Sequence, residues 1–279
     1  MNNIKTVIRI FSMSLSRLTV TPRIVVAFLV AIMLTVISVN PLNQYAAAHS
    51  EHINIIECFI EVFCNKFMMT LLLAAIVLIL CDAPFFDLGQ VEIIYRVGRT
   101  KWYIGKVLYI VAVSVVFQLV IFITAALISA GNSYFANVWS NPMYMLNFSR
   151  PAGYYFPLGE ALMRKMNPFT ALFDTFLLNL LLHTLLGMIL FSINLHYKRI
   201  FGYLAAALIP VWGLSVEFSE FPIWLSPMHY SILVYQGFGL DNNRIPSVLA
   251  SVVVLGLPLL ILIITTNYSL KKHSFQFGE

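Results

Sequence analysis

The chain has 279 residues, of which 60% are hydrophobic and only 10% charged, and its formal net charge is +5. That balance excludes a soluble domain of ordinary composition and points to a polytopic, all-α integral membrane protein. An excess of cations in a soluble protein would suggest nucleic acid. Here the cations sort by membrane side, so no nucleic-acid partner is expected.

Residues 3–20 put Ile4, Val7, Ile8, Phe11, Leu15 and Leu18 on one helical face and Lys5, Arg9, Ser12 and Ser16 on the opposite one. This pattern predicts an interfacial helix within 1–23, its apolar face in the acyl boundary and its cations on anionic headgroups. Thr21-Pro22 breaks the pattern before the first span. A cleaved signal peptide ending near Ala46-Ala47-Ala48 is the alternative. The long amphipathic segment ahead of the apolar run, and the length of that run, argue against it.

Apolar runs long enough for about 30 Å of hydrocarbon predict six spans in one transmembrane domain over 1–279, at 24–40, 63–81, 106–130, 169–195, 200–216 and 247–267. With the N-terminus cytoplasmic, most Lys and Arg fall on the inner side, from Lys5 and Arg9 through Arg96, Arg99 and Arg199 to Lys272. Both termini are then cytoplasmic.

The first outer loop contains His49, Glu51, His52, Glu57, Cys58, Glu61 and Cys64. The histidines lack third and fourth ligands at fixed spacing, which favours a solvated loop over a metal site. Cys58 and Cys64 diverge if they lie on one helix, and three cysteines define no disulfide framework.

Residues 82–105 form a polar passage between two apolar ones. Asp87 is placed to cap a short helix with Gln90 as its reciprocal partner, and Gly98 to end it. Leu88, Val91, Ile94 and Tyr95 recur on one face, while Glu92, Arg96 and Arg99 gather on another, with Glu92 and Arg96 four apart. Thr100 then caps the next helix, whose Trp102 and Tyr103 suit the headgroup region. Such a helix offers a partner a docking face; the plain alternative is a basic loop that only sets orientation.

The third span carries Ser114, Gln118 and Thr124, and the fourth Asp174, Asn179, His183, Gly187 and Asn194. Asn179, His183 and Gly187 share one helical face. Asp174, Asn179 and His183 are candidates for a translocation path, weighed against the commoner role of such residues in interhelical hydrogen bonding and close packing. The outer stretch 131–168 reads as an irregular cap with short helices. The outer stretch 217–246 is apolar, aromatic and broken by prolines, a pattern for a segment that dips back into the membrane.

The passage DLGQVEIIYRVGRTKWYIGKVLY resembles the loop between spans two and three of type-2 ATP-binding-cassette (ABC) exporter permeases, through Glu92, Gly98, Arg99, Trp102, Gly105 and Lys106. The amphipathic N-terminal segment is similar to that family's connecting helix. Six spans, and an outer loop containing Ser226-Pro227, match its layout. The resemblance implies a cytoplasmic coupling helix resting in a cleft of a separate ATPase subunit, with Asp87, Glu92, Arg96, Gly98, Arg99 and Trp102 as its coupling residues. It further implies ATP and Mg on that partner only, no cofactor and no catalysis in this chain, and a homodimer or heterodimer with a related permease. The expected setting is a bacterial plasma membrane, and the cargo a hydrophobic or amphiphilic lipid, peptide or drug. Asp82-Ala83-Pro84-Phe85 and the long loop after span three depart from a minimal member and leave the subfamily and substrate open.

The chain has no phosphate loop of its own: Gly98 and Gly105 are separated by six residues, and Val107 stands where Ser or Thr is needed. The alternative class is a stand-alone secondary transporter or channel, for which clear inverted repeats are missing. An intramembrane enzyme would need clustered acids and histidines, whereas His183, His196 and His229 fall at different depths.

Overall fold

The computed structural model describes residues 3–16, 21–84, 88–149, 158–218, 222–236 and 247–272, and is all-α apart from one short strand pair. Asp87 and Leu18 lie outside the described residues.

Helix α1 (Asn3–Leu15) lies against the start of α6 (Arg99–Ser129). Its docked face is Thr6, Ile10 and Ser14, while Ile4 and Ile8 point outward. The expected apolar face is thereby split. A methyl on Gly105 would sit 2.8 Å from Ile10 Cγ2, and this closeness draws Ile10 inward.

Thr21 and Pro22 start α2 (Pro22–Ala48), with proline in the first turn, where a missing N–H costs nothing. The helix runs on through Pro41, past the expected end at 40. Beyond that proline Asn43 Nδ2 donates to Ile128 O of α6, and Leu42 and Ala46 are buried, so packing holds the helix past its breaker.

The second span departs most from expectation. Residues 63–81 do not form one rod. Helix α3 (Ile55–Cys64) meets α4 (Lys66–Leu80) at Asn65 with a bend of 83°. Asn65 ends α3 and caps α4 by accepting from Phe67 N and Met68 N. Fifteen residues span only about 22 Å, short of the roughly 30 Å of hydrocarbon, so α4 alone does not suffice.

Nor is the segment before it a solvated loop. Every residue of α3 from Ile56 to Cys64 is buried, among α2, α6 and α9 (Pro168–His196).

Helix α5 (Leu88–Val97) precedes α6, which starts at Arg99 rather than near 106. On the other side of α6, β2 (Ser133–Tyr134) pairs in parallel with β1 (Ile53–Asn54), and α7 (Asn141–Ser149) and α8 (Glu160–Lys165) complete a cap. Asn54 Nδ2 donates to Ala136 O and Val138 O, at 2.5 and 2.9 Å, tying the cap to α3.

Helix α9 is the most buried of the long helices and α12 (Val248–Lys272) the least, with α10 (Arg199–Glu217) between them. Among the described residues of 217–246, a 3-10 turn at Ile223–Leu225, α11 (Pro227–Tyr230) and a second 3-10 turn at Leu233–Tyr235 pack among α9, α10 and α12. Ser226, Met228, His229, Ser231 and Ile232 are fully buried there.

Among the described residues, α2, α6, α9, α10 and α12 are each long and apolar enough to cross a membrane, and the bent pair α3–α4 supplies a sixth crossing if taken as one. The chain is a multi-pass, all-α membrane protein.

Candidate docking site on the basic face

One end of the bundle gathers α1, α5, the end of α9, the start of α10 and the end of α12, and with them Lys5, Arg9, Arg96, Arg99, Arg199 and Lys271. Helix α5 is short, so its stability comes from what its inner face packs on.

That inner face is Gln90 and Ile94, both buried, with Ile93 and Val97 partly so. Trp102 Nε1 donates to Gln90 Oε1 at 3.0 Å, twelve positions back along the chain. Trp102 is fully buried beside Phe191, its ring turned into the bundle. Gln90 faces the bundle, and its expected capping partner Asp87 lies outside the described residues.

The turn between α5 and α6 falls on Gly98, whose φ of +92° lies in the region that favours glycine. Gly98 N–H donates to Ile94 O, closing α5, and Gly98 O accepts from Trp102 N. Gly98 itself precedes α6, and Thr100 is already inside the first turn, so the expected Thr100 cap is absent.

The outer face of α5 carries Glu92, Tyr95 and Arg96, all exposed; Glu92 and Arg96 form the anticipated ion pair four apart. Tyr95 was expected on the apolar face, yet it is 73% exposed. At 100° per residue it follows Glu92 and precedes the turn, and Ile94 takes the inward place.

Arg99 does not join this surface. Its Nη1 donates to Leu270 O at 3.1 Å and Lys271 O at 2.5 Å, the end of α12, where a cation suits the helix dipole. Tyr103 OH donates to Ile263 O at 2.8 Å on the same helix.

The passage ahead of α5 is also gripped. Asp82 pairs with Arg23 of α2 and lies 3.5 Å from Arg199 Nη1 of α10. Asn194 Nδ2 donates to Cys81 O and Ala83 O, at 3.0 and 2.8 Å. Burial pushes the Cys81 thiol up from its ordinary 9.0. Asp82 and Asn194 carried no role in the sequence reading; their signal was weak, a lone acid between two basic helix starts.

The path candidates separate. Asn179 is buried and donates to Thr175 O at 2.8 Å and to Ser231 O at 3.5 Å, joining α9 to the segment after α11. His183 is buried between Phe63 and Phe117, at ring separations of 6.4 and 5.6 Å. A methyl on Gly187 would lie 2.4 Å from Ile110 Cγ2. The stripe is thus packed interior, whereas Asp174 near the other end of α9 is half-exposed.

A carboxyl that the sequence had assigned to solvent belongs with these. Glu61 on α3 is buried, and its Oε2 has no hydrogen-bond partner. Among the described residues no three His, Cys, Asp or Glu side chains lie close enough to hold a metal. An apolar cavity of about 220 Å³ opens between α10 and the α11 region, lined by Leu208, Ile209, Trp212, Leu225 and Pro227.

No protein-family model, curated protein or solved structure matches the chain.

Proposed function

We propose that the chain is the membrane subunit of a type-2 ABC exporter, driven by a separate ATPase and paired with a second permease copy or a related one, moving a hydrophobic or amphiphilic cargo. The observation that carries this reading is the two-faced α5. Its inner face is fixed to α6 through Ile94 and the Trp102–Gln90 hydrogen bond, while Glu92, Tyr95 and Arg96 stand free of the bundle. A rigidly mounted helix with an exposed aromatic and two charges suits a protein partner, because a push on it reaches the bundle without first being absorbed by a loop. The docked α1, the buried segment between α10 and α12, and the apolar cavity beside α10 support the same reading and an apolar cargo.

The test is purification from native membranes in mild detergent, followed by mass spectrometry and an ATPase assay. A stoichiometric ATPase is expected with the wild type. It is lost when Glu92, Tyr95 and Arg96 are replaced by Ala, with stability changed by no more than about 0.5 kcal/mol, as for exposed sites generally.

Recovery of the chain alone, without ATPase activity, overturns the proposal and favours a stand-alone transporter. Glu61 is the observation on that side, a buried carboxyl whose Oε2 has no hydrogen-bond partner, on a half-helix within the bundle.

A further inference from the structure

Besides its direct contact with α6, α5 is joined to α4 by a passage whose described residues, Cys81 to Pro84, are gripped by the bundle. The passage is held there by three helices. Asp82 Oδ2 accepts from Arg23 on α2, and Asp82 Oδ1 faces Arg199 Nη1 on α10 across 3.5 Å. On either side of Asp82, Cys81 O and Ala83 O both accept from Asn194 Nδ2 at the end of α9.

The two arms of the carboxylate are unequal. Arg23 is close and about one-third exposed, whereas Arg199 is farther and more than half exposed. A long, solvated ion pair is cheap to break and re-form, because water takes over both charges when it opens. The short arm keeps Asp82 seated against α2 while the long arm opens. One carboxylate thereby makes a fixed anchor and a movable contact.

Helix α10 is seated closely enough to pass a displacement on. Gly202 lies directly over Asn194, where a methyl would come within 2.1 Å of Oδ1, so the first turn of α10 rests on the residue that holds Cys81 and Ala83. Farther along, beside the cavity lined by Leu208 and Trp212, a methyl on Gly213 would lie 2.6 Å from Met228 Cε, so α10 is also seated on α11. Close contacts at both Gly202 and Gly213 make α10 carry α11 with it when Arg199 is displaced.

We infer that Asp82 is a positioning residue that carries movement of α5 to α10 through Arg199, with Arg23 as its fixed support. The inference rests on the exporter reading for what drives α5, but the joint itself is a property of this chain alone. No covalent step is involved; the carboxylate only exchanges a guanidinium for water.

Two experiments test it. In the isolated full-length chain in lipid nanodiscs, spin labels on α5 (Tyr95→Cys) and on α10 (Leu204→Cys) report the distance between the helices. Asp82→Asn and Arg199→Gln should broaden that distance distribution, Arg199→Lys should restore it, and Lys198→Gln, which removes the adjacent charge, should leave it narrow. Raising salt to about 1 M, where the screening length falls to about 3 Å, should broaden the wild type toward Asp82→Asn and leave Asp82→Asn unchanged. In the assembled transporter, Arg199→Gln should keep ATPase binding and turnover while transport falls by about tenfold. An unchanged distance distribution in both Asp82→Asn and Arg199→Gln overturns the joint, as does an equal effect of Lys198→Gln. Absence of any ATPase in the wild-type purification overturns the exporter reading instead, and leaves the label result standing by itself.

Discussion

The Lys106 ammonium donates to Ser14 Oγ across 3.0 Å and is almost wholly buried between α1 and α6, 5.6 Å from the Trp102 ring. Ser14 in turn donates to Ile10 O at 2.9 Å. A lysine counted by sequence as a mark of orientation is thus a clamp on α1. Ser14→Ala deprives a buried cation of an acceptor and should cost about 1–3 kcal/mol. Adding Lys106→Met removes the charge that had lost one of its partners and keeps most of the apolar stem. The double variant should therefore unfold closer to the wild type than Ser14→Ala does, by thermal denaturation in detergent. An additive, larger loss would mean that the clamp stabilises through more than this pair.

Two glycines on long helices make a matched comparison. At Gly187 a methyl meets Ile110 Cγ2 at 2.4 Å and Leu80 Cδ1 at 2.9 Å, while at Gly256 it meets nothing within 4 Å. Gly187→Ala should be destabilising by about 1–3 kcal/mol through overpacking. Gly256→Ala should be neutral or stabilising by up to about 1 kcal/mol, from helix propensity alone. Melting temperatures of the two variants, measured side by side, check both signs.

These examples show what the sequence does and does not carry. Long apolar runs place α9, α10 and α12 well, because a span must satisfy its own backbone and so depends little on its neighbours. The Glu92–Arg96 pair is legible for the same reason, being local to one helix. Glu57 and Glu61 mislead because a charge in a sequence reads as solvent-facing, whereas the donors that let Glu57 be buried lie on a segment more than 80 positions away. The break at Asn65 is hidden because the hydrophobic run continues on both sides of Asn65-Lys66. Arg99 reads as part of the charged face of α5 and Trp102 as an interfacial ring, and only the docking of α5 and α12 reveals what covers them.

Glu57 supplies the third prediction. Its Oε1 accepts from Ser140 N at 2.5 Å and its Oε2 from Ser140 Oγ at 2.6 Å and from Asn54 N at 3.4 Å. The same carboxylate thus completes the capping box of α3 and holds the start of the outer cap. Glu57→Ala leaves buried donors without acceptors and should cost about 2–4 kcal/mol. Glu57→Gln retains one acceptor and should cost less. Limited proteolysis should cut the 130–167 cap faster in Glu57→Ala than in Glu57→Gln, with the wild type slowest. Equal rates in all three would mean that the cap is held elsewhere.

Cys81 gives a prediction in pH. Its thiol is fully buried at the end of α4, and burial is the main cause that raises it above 9.0, with the Asp82 charge adding to the rise and Tyr203, Arg23 and the Asp82 backbone opposing it. Only the thiolate attacks a maleimide or a haloacetamide. At pH 8 the folded protein should therefore label at Cys81 more slowly than a free thiol, and the rate should go on climbing well beyond the pH at which a free cysteine levels off. The unfolded chain loses its proton first as pH rises, so the folded state binds more protons between the two values and stability falls with pH across that window. Below the ordinary thiol range this contribution is complete; above the folded value its loss is complete. The quantity to follow is labelling of the Cys81 peptide by mass spectrometry across pH 7 to 10. A profile that coincides with that of the denatured chain would show the junction ahead of α5 to be open to solvent, and the grip of Asn194 and Asp82 on it to be loose.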